Sequence, residues 1–150
     1  MRLQDKIAMI TGAGSGIGRG ISVRMAEEGA DIIGIDLNEK GLKETASAIH
    51  ALGRKALVLK ANVAVPHEVE QTVDEVVQAC GQIDILVNNA GVEWSATLIK
   101  MTEECWDKVL NINLKGVFLC TQSVAKRMAE RRYGKIINIS SVAGKTGIFG

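Results

Sequence analysis

The segment MITGAGSGIGRG, Met9–Gly20, is the most informative stretch of this sequence. Its apolar start predicts the end of a strand, and the glycines that follow predict a turn into a helix. Glycine amides free of side-chain crowding, beside the positive end of a helix dipole, form a site for an anion such as a phosphate. The segment therefore predicts a strand, an anion-binding loop and a helix in succession.

The spacing of these glycines differs from the G-x-G-x-x-G fingerprint, because a pattern started from Gly12 meets Ile17 where glycine is required. The pattern present is T-G-x-x-x-G-x-G, starting at Thr11. On spacing alone, a tight turn without a ligand stays open as an alternative. The loop residues that we predict to surround phosphate groups are Gly12, Ser15, Gly16, Ile17 and Gly18.

Short apolar runs of strand length recur along the chain, and longer segments with helical spacing separate them. The runs are Ile7–Ile10, Ile32–Ile35, Ala56–Leu59, Ile83–Val87 and Ile136–Ile139. Continuous apolarity is typical of parallel strands covered on both faces by helices. We therefore expect one α/β domain over residues 1–150, with a doubly wound parallel sheet.

Helix signals stand between these runs. Pro66 suits a first helical position, and Asn38 and Thr102 are predicted N-caps. From Thr102 onward, one predicted apolar face is interrupted by a single amide, that of Asn113. This face comprises Trp106, Leu110, Asn113, Val117, Cys120, Val124 and Met128. Burying an unpaired amide costs about 1–3 kcal/mol, so Asn113 is expected to bond backbone or trapped water.

The bulk composition restricts the partners. A formal net charge of +1, without a basic block, argues against nucleic acid or anionic lipid as the main partner. No apolar run reaches the ~18 residues of a membrane span. Cys80, Cys105 and Cys120 lack metal-site spacing and predict buried free thiols in a cytoplasmic protein. We predict a small-molecule ligand and no metal site.

Asp36 ends the second apolar run, eighteen residues after Gly18. A carboxylate about 20 residues past such a loop is placed to accept hydrogen bonds from a ribose diol. It would repel a 2′-phosphate, which favours NAD over NADP. Leu37 and Ser15 add no positive charge, although Arg19 just past the loop leaves NADP a weaker alternative. A solvated charge at the strand end remains the other interpretation of Asp36.

Four segments together resemble the short-chain dehydrogenase/reductase family over the whole chain. They are TGAGSGIG in the glycine loop, NNAG at Asn88–Gly91, NINL at residues 111–114 and IINISSVAG at residues 136–144. The resemblance implies a Rossmann-like sheet with strand order 3-2-1-4-5. It also implies NAD(P)-dependent interconversion of a secondary alcohol and a ketone, and a homo-oligomer when the full family fold is present.

The resemblance also implies roles for individual residues. Asn62 and Val63 stand where the family contacts adenine, with Asn62 in place of the usual aspartate. The positions beside the adenosine ribose are Asn89, Ala90 and Gly91. Asn113 matches an asparagine that holds a water on the proton-relay path, and Ser141 matches the serine that binds the substrate oxygen.

The family's Tyr-x-x-x-Lys pair is expected after Ser141, and the sequence stops at Gly150 without it. The tyrosine present, Tyr133, is followed four residues later by Ile137, so we expect it to pack at a turn. We therefore expect the cofactor-binding portion of an oxidoreductase, inactive without that pair because a missing general acid/base costs roughly 100- to 10,000-fold in rate. The alternatives are a non-catalytic dinucleotide-binding module and, less consistent with NNAG and Ser141, a methyltransferase that uses S-adenosylmethionine.

Overall fold

A computed structural model describes residues 1–146, and the end of the predicted domain at residues 147–150 lies outside the described part. Five parallel strands form one sheet in the order β3-β2-β1-β4-β5, as expected. The strands are β1 (Ile7–Thr11), β2 (Asp31–Asp36), β3 (Ala56–Lys60), β4 (Ile85–Asn88) and β5 (Lys135–Asn138). Successive strands are added on one side of β1 as far as β3 and on its other side from β4 onward, and this change opens a crevice at the carboxyl ends of β1 and β4.

The helices lie between the strands, and two of them begin at the predicted caps Asn38 and Thr102. Asn38 Oδ1 accepts a bond from the Gly41 amide at 3.0 Å, and Thr102 Oγ1 accepts one from Cys105 at 3.3 Å. The helices are α1 (Gly16–Glu27), α2 (Glu39–Ala51), α3 (Pro66–Cys80), α4 (Glu103–Leu110) and α5 (Gly116–Arg131). A π-helical turn, Asn111–Lys115, joins α4 to α5, and short 3-10 turns cover Leu98–Lys100 and Val142–Gly144.

Two apolar layers form, one on each face of the sheet. On one face, Met9 and Leu86 pack with residues of α3 and α5, among them Val73 and Val124. On the other face, Ile10 packs with residues of α1 and α2. Neighbouring residues of β1 thus point into opposite layers, as strand geometry requires. For the central strands, the predicted covering of both faces is confirmed.

Strand β5 differs from the prediction. Its residues are exposed throughout, with Ile136 at 37% and Ile137 at 44% of full accessibility. Covering of both faces is therefore wrong for β5 within residues 1–146. Strand β5 pairs with β4 on one side and lies at the sheet edge, as the strand order implied by the resemblance predicted.

The predicted apolar face after Thr102 is also only half correct. Cys120, Val124 and Met128 are buried, but Trp106 is 54% and Leu110 38% exposed. The π-helical turn lies between the two groups. Because a π turn breaks the 3.6-residue repeat, residues before it do not continue the buried face of residues after it.

The cysteines are all free, but their burial differs: Cys120 is buried, whereas Cys80 and Cys105 are partly exposed. The prediction of buried thiols is thus confirmed for Cys120 and is wrong for Cys80 and Cys105. Within residues 1–146, no helix is both long enough and apolar enough to cross a membrane.

Cys120 is expected to resist thiol reagents as long as the protein is folded. Burial raises the pKa of its thiol to about 12, which lowers the reactive thiolate fraction at neutral pH by roughly 1,000-fold. Timed labelling with a chromogenic disulfide, followed by mass mapping, should leave Cys120 unmodified until denaturant is added. Native labelling of Cys120 at its unfolded rate would contradict this expectation.

Candidate functional site

The glycine loop adopts a conformation that requires glycine at specific positions. Gly12 and Gly16 have φ values of 70° and 50°, in the left-handed region that other residues rarely adopt. Gly18 is needed for space, because a Cβ built there would lie 2.0 Å from the Gly12 carbonyl oxygen. The three glycines of the T-G-x-x-x-G-x-G pattern therefore fold the loop tightly against the start of α1.

The first turn of α1 is suited to an anion. Ser15 is its N-cap, and within the described residues its side chain accepts no bond from the first-turn amides. That turn also contains no acidic residue. Unpaired amides at the positive end of a helix dipole bind phosphate groups.

Thr11 joins the ends of β1 and β4 beside the loop. Its Oγ1 accepts bonds from the Asn89 and Ala90 amides, both at 3.0 Å. The Asn89 side chain donates in return to the Thr11 carbonyl oxygen at 3.0 Å. Thr11 is 2% exposed and was not among the predicted site residues, although its place at the start of the glycine pattern was a usable signal.

Asp36 lies at the carboxyl end of β2, next to the loop. Its Oδ2 accepts a bond from the Gly14 amide and its Oδ1 one from the Asn38 amide, each at 2.9 Å. These two bonds hold the carboxylate in one orientation between the glycine loop and the start of α2.

A crevice of about 360 Å³ runs along the carboxyl ends of the strands, within the size range of small-molecule sites, ~300–1,000 Å³. All the residues predicted to bind a cofactor line it: Gly12, Ser15, Gly16, Ile17, Gly18, Asp36, Asn62, Val63, Asn89, Ala90 and Gly91. Five lining residues were not predicted: Ile35, Leu37, Ala61, Val92 and Ile112. Among residues 1–146, Asp36 is the one charged side chain that lines the crevice.

Asn113 lies beside the crevice, in the π-helical turn. Its Oδ1 accepts from the Val92 amide and its Nδ2 donates to the Val92 carbonyl, both at 2.9 Å. The expectation of backbone partners is confirmed, but Asn113 is exposed rather than buried. The role of Asn113 on a proton-relay path stays a prediction.

Ser141 lies just after the carboxyl end of β5, on the side of the sheet where the crevice opens. Its Oγ accepts a bond from the Ala143 amide at 3.2 Å and caps the last 3-10 turn. The end of β5 is tied to β4, since the Asn88 side chain donates to Asn138 Oδ1 at 2.8 Å. Ser141 is exposed and lies outside the crevice lining, so its contact with a substrate oxygen also stays a prediction.

Tyr133 lies at the amino ends of the strands, two residues before β5 begins. The ammonium nitrogen of Lys6 is 4.6 Å from the centroid of its ring. The tyrosine thus packs at the turn, as predicted.

Comparison with known proteins identifies the family. The family model described as short chain dehydrogenase matches residues 6–150. This chain belongs to the short-chain dehydrogenase family. A 3-oxoacyl-[acyl-carrier-protein] reductase of Thermotoga maritima is 44% identical over 147 residues, which are 98% of this chain and 60% of that protein. A (2S)-[(R)-hydroxy(phenyl)methyl]succinyl-CoA dehydrogenase subunit of Thauera aromatica is 41% identical over 95% of this chain and 58% of its own length.

Solved structures of short-chain dehydrogenases superpose closely on this chain. NAD⁺-bound xylitol dehydrogenase has a TM-score of 0.96 and 34% identity, covering 99% of this chain and 57% of that one. Levodione reductase has a TM-score of 0.95 and 37% identity, with 98% and 58% covered. The chain thus spans about three fifths of the length of the relatives that it matches. The short-chain dehydrogenase fold implies binding of NAD or NADP.

Proposed function

We propose that this protein is an NAD-dependent oxidoreductase that transfers hydride between nicotinamide and a secondary alcohol or ketone. Residues 1–150 serve as its dinucleotide-binding domain. The observation that carries the proposal is the crevice itself, which joins the amides of the glycine loop to the carboxylate of Asp36. Amides and a helix dipole suit a pyrophosphate, and a fixed carboxylate suits a ribose diol.

The preference for NAD rests on charge. A 2′-phosphate bound beside Asp36 would meet a like charge in a crevice lined by apolar groups. Arg19, the cation closest in sequence to the loop, donates instead to the Gly14 carbonyl at 2.6 Å and to Glu44 at 2.8 Å. Leu37 follows Asp36 and lines the crevice without a charge. A similar protein, xylitol dehydrogenase, was solved with NAD⁺ bound.

The proposed reaction class is supported by the names of the relatives, which describe reductases of 3-oxoacyl groups and levodione and dehydrogenases of alcohols. The dinucleotide would supply the hydride donor or acceptor. In this proposal Ser141 donates a hydrogen bond to the substrate oxygen, and Asn113 supports the path of the transferred proton. Both lie at the carboxyl edge of the sheet, where the crevice opens.

Residues 1–150 do not contain the Tyr-x-x-x-Lys pair that would act as acid/base in this chemistry. Tyr133 lies at the amino end of β5, away from the crevice, and is followed four residues later by isoleucine instead of lysine. We therefore expect the 150-residue chain to bind NADH and to show no turnover with a panel of secondary alcohols. Measurable oxidation by this chain would contradict the proposed need for a Tyr-x-x-x-Lys pair. Binding without turnover in a longer chain that contains the pair would favour the non-catalytic module.

The cofactor proposal is tested most directly at Asp36. Asp36→Ala removes charge-assisted bonds worth about 1.5–3 kcal/mol, so we expect NADH to bind roughly 10- to 100-fold more weakly. Fluorescence titration of NADH and NADPH measures the effect, and the preference for NADH should disappear. Asp107→Ala, which removes an exposed carboxylate on α4, is the matched control. Unchanged NADH affinity in folded Asp36→Ala would reject Asp36 as the ribose ligand, and no NADH binding by the wild-type protein would reject the proposed function.

A further inference from the structure

Arg19 lies within hydrogen-bond distance of four acceptors, in the glycine loop and in α2. Its Nη2 lies 2.6 Å from the Gly14 carbonyl oxygen, 3.2 Å from the Gly41 carbonyl oxygen and 2.8 Å from Glu44 Oε2. Its Nε donates to Thr45 Oγ1 at 3.1 Å. A planar guanidinium can satisfy several fixed acceptors at once, which a lysine ammonium does less well. Arg19 thus joins α1, the loop and the first turns of α2.

The loop and α2 are in close contact at the same place. A Cβ on Gly41 would lie 2.2 Å from the Gly14 carbonyl oxygen. Thr45 is fully buried, and its hydroxyl lies 2.9 Å from the Ala13 carbonyl oxygen and 3.0 Å from the Gly41 carbonyl oxygen, two acceptors that share its one hydrogen. The backbone carbonyls of two consecutive loop residues are therefore bonded by side chains of the two helices, Ala13 by Thr45 of α2 and Gly14 by Arg19 of α1.

These contacts reach Asp36 through a single peptide unit. The Ala13 carbonyl and the Gly14 amide belong to the same planar group. Thr45 holds its carbonyl end, and Asp36 Oδ2 accepts from its amide end at 2.9 Å. Arg19, by donating to Thr45 and to the Gly14 carbonyl, fixes the plane of this peptide and of the next one. The Asp36 carboxylate is bonded directly to the first of these two peptides.

The charge of Arg19 is compensated on α2. Glu44 forms an ion pair with the guanidinium at 2.8 Å. An uncompensated arginine next to the loop would attract a 2′-phosphate, as arginine is a strong phosphate ligand. The pair therefore leaves Asp36 as the charge that a ribose meets in the crevice.

We propose that Arg19 is a positioning residue that sets the preference for NAD. It fixes the peptide units on either side of Gly14, one of which bonds the Asp36 carboxylate, while Glu44 neutralises the charge of Arg19. The inference rests on the proposed NAD-binding function. It assigns to Arg19 and Glu44 a role in cofactor choice although neither side chain lines the crevice within residues 1–146.

The test compares Arg19→Met with Arg24→Met, a control on the same helix whose arginine pairs with Glu27 and Glu28. Arg19→Met should weaken NADH binding about tenfold, corresponding to roughly one lost hydrogen bond to a charged group. It should lower the NADH-to-NADPH affinity ratio and accelerate hydrogen exchange of the Gly14 amide in the free protein. Arg24→Met should change none of these.

Glu44→Gln separates charge from geometry. It should leave NADH affinity unchanged and strengthen NADPH binding about threefold at low ionic strength, an effect that salt should screen. Thr45→Val, which keeps the shape of the side chain and removes its hydroxyl, replaces Arg19→Met where the latter does not fold, and the same weakening and faster Gly14 exchange are expected.

Two outcomes separate the inference from the function on which it rests. If the wild-type protein binds NADH and the Arg19 and Thr45 variants bind it equally well, with unchanged exchange at Gly14, Arg19 has no positioning role and the proposed function stands. If the folded wild-type protein binds no NADH, the proposed function is wrong and the inference falls with it.

Discussion

Gly18→Ala is expected to abolish detectable NADH binding, with a loss of affinity of at least about 100-fold. The added methyl group would lie 2.0 Å from the Gly12 carbonyl oxygen and 2.6 Å from the Asn89 side-chain nitrogen. Neither neighbour can retreat freely, because Gly12 is loop backbone and Asn89 is bonded to Thr11. The loop must therefore move away from α1, which separates the amides that would surround a pyrophosphate. Overpacking of this kind also costs about 1–3 kcal/mol of stability.

Gly20→Ala is the matched control for this substitution. Gly20 lies in the same helix, and a Cβ built on it meets no atom within 4 Å. Alanine there should leave NADH binding unchanged and stabilise the protein by roughly 0.5–1 kcal/mol, because glycine is unfavourable inside helices. NADH titration and thermal unfolding of both variants give the comparison. Equal affinities for the two variants would show that the close contact at Gly18 does not shape the site.

Asp84→Asn is expected to destabilise the fold by about 3 kcal/mol at neutral pH. Asp84 is 1% exposed and accepts bonds from the Ile7 amide at 3.0 Å, from Arg131 at 2.9 Å and from the Gln82 side chain at 3.0 Å. Asparagine would leave Arg131 without its charge partner and direct an NH₂ group at other donors. Breaking a buried pair costs about 3–5 kcal/mol, and the lower figure applies because Arg131 is partly exposed.

The effect at Asp84 should depend on pH. Burial acts to raise the pKa of Asp84, but the Ile7 amide, Arg131 and Gln82 outweigh it and hold the pKa below its ordinary value. A carboxyl whose pKa is lowered by folding stabilises the protein above its unfolded pKa, about 3.9, and this contribution is lost as pH falls through the folded pKa. Urea unfolding should thus show wild type and Asp84→Asn differing at pH 7 and converging below about pH 4. Glu104→Gln, an exposed change on α4, should show no such difference, and a constant gap at Asp84 would contradict its ionisation as the cause.

Local features of the fold and site were predictable because their causes are local. The φ values at Gly12 and Gly16 follow from the turn between β1 and α1. The caps at Asn38 and Thr102 use side chains within three residues of their partners. Parallel strands bring their carboxyl ends to one side of the sheet, so residues at or just after the ends of separate strands, such as Asp36 and Asn89, meet in one crevice.

Other features depend on contacts between segments distant in the sequence. The helical repeat after Thr102 predicted one buried face, but the π-helical turn at Asn111–Lys115 and the two bonds of Asn113 to Val92 leave Trp106 and Leu110 exposed. The apolar residues of β5 predicted covering of both faces, but the strand is exposed within residues 1–146. Neither apolar pattern shows whether another segment of the chain packs against these side chains.

The sequence by itself determined the alternation of strands and helices, the glycine loop, the carboxylate at the end of β2 and the family, because each is set by residue type and short-range spacing. Tertiary structure alone decided that Thr11 joins β1 to β4, that Asp84 pairs with Arg131 in the interior, and that Arg19 is bonded to α2. Such pairs lie tens of residues apart, and a hydrogen bond between them exists only after packing brings the donor within about 3 Å of its acceptor.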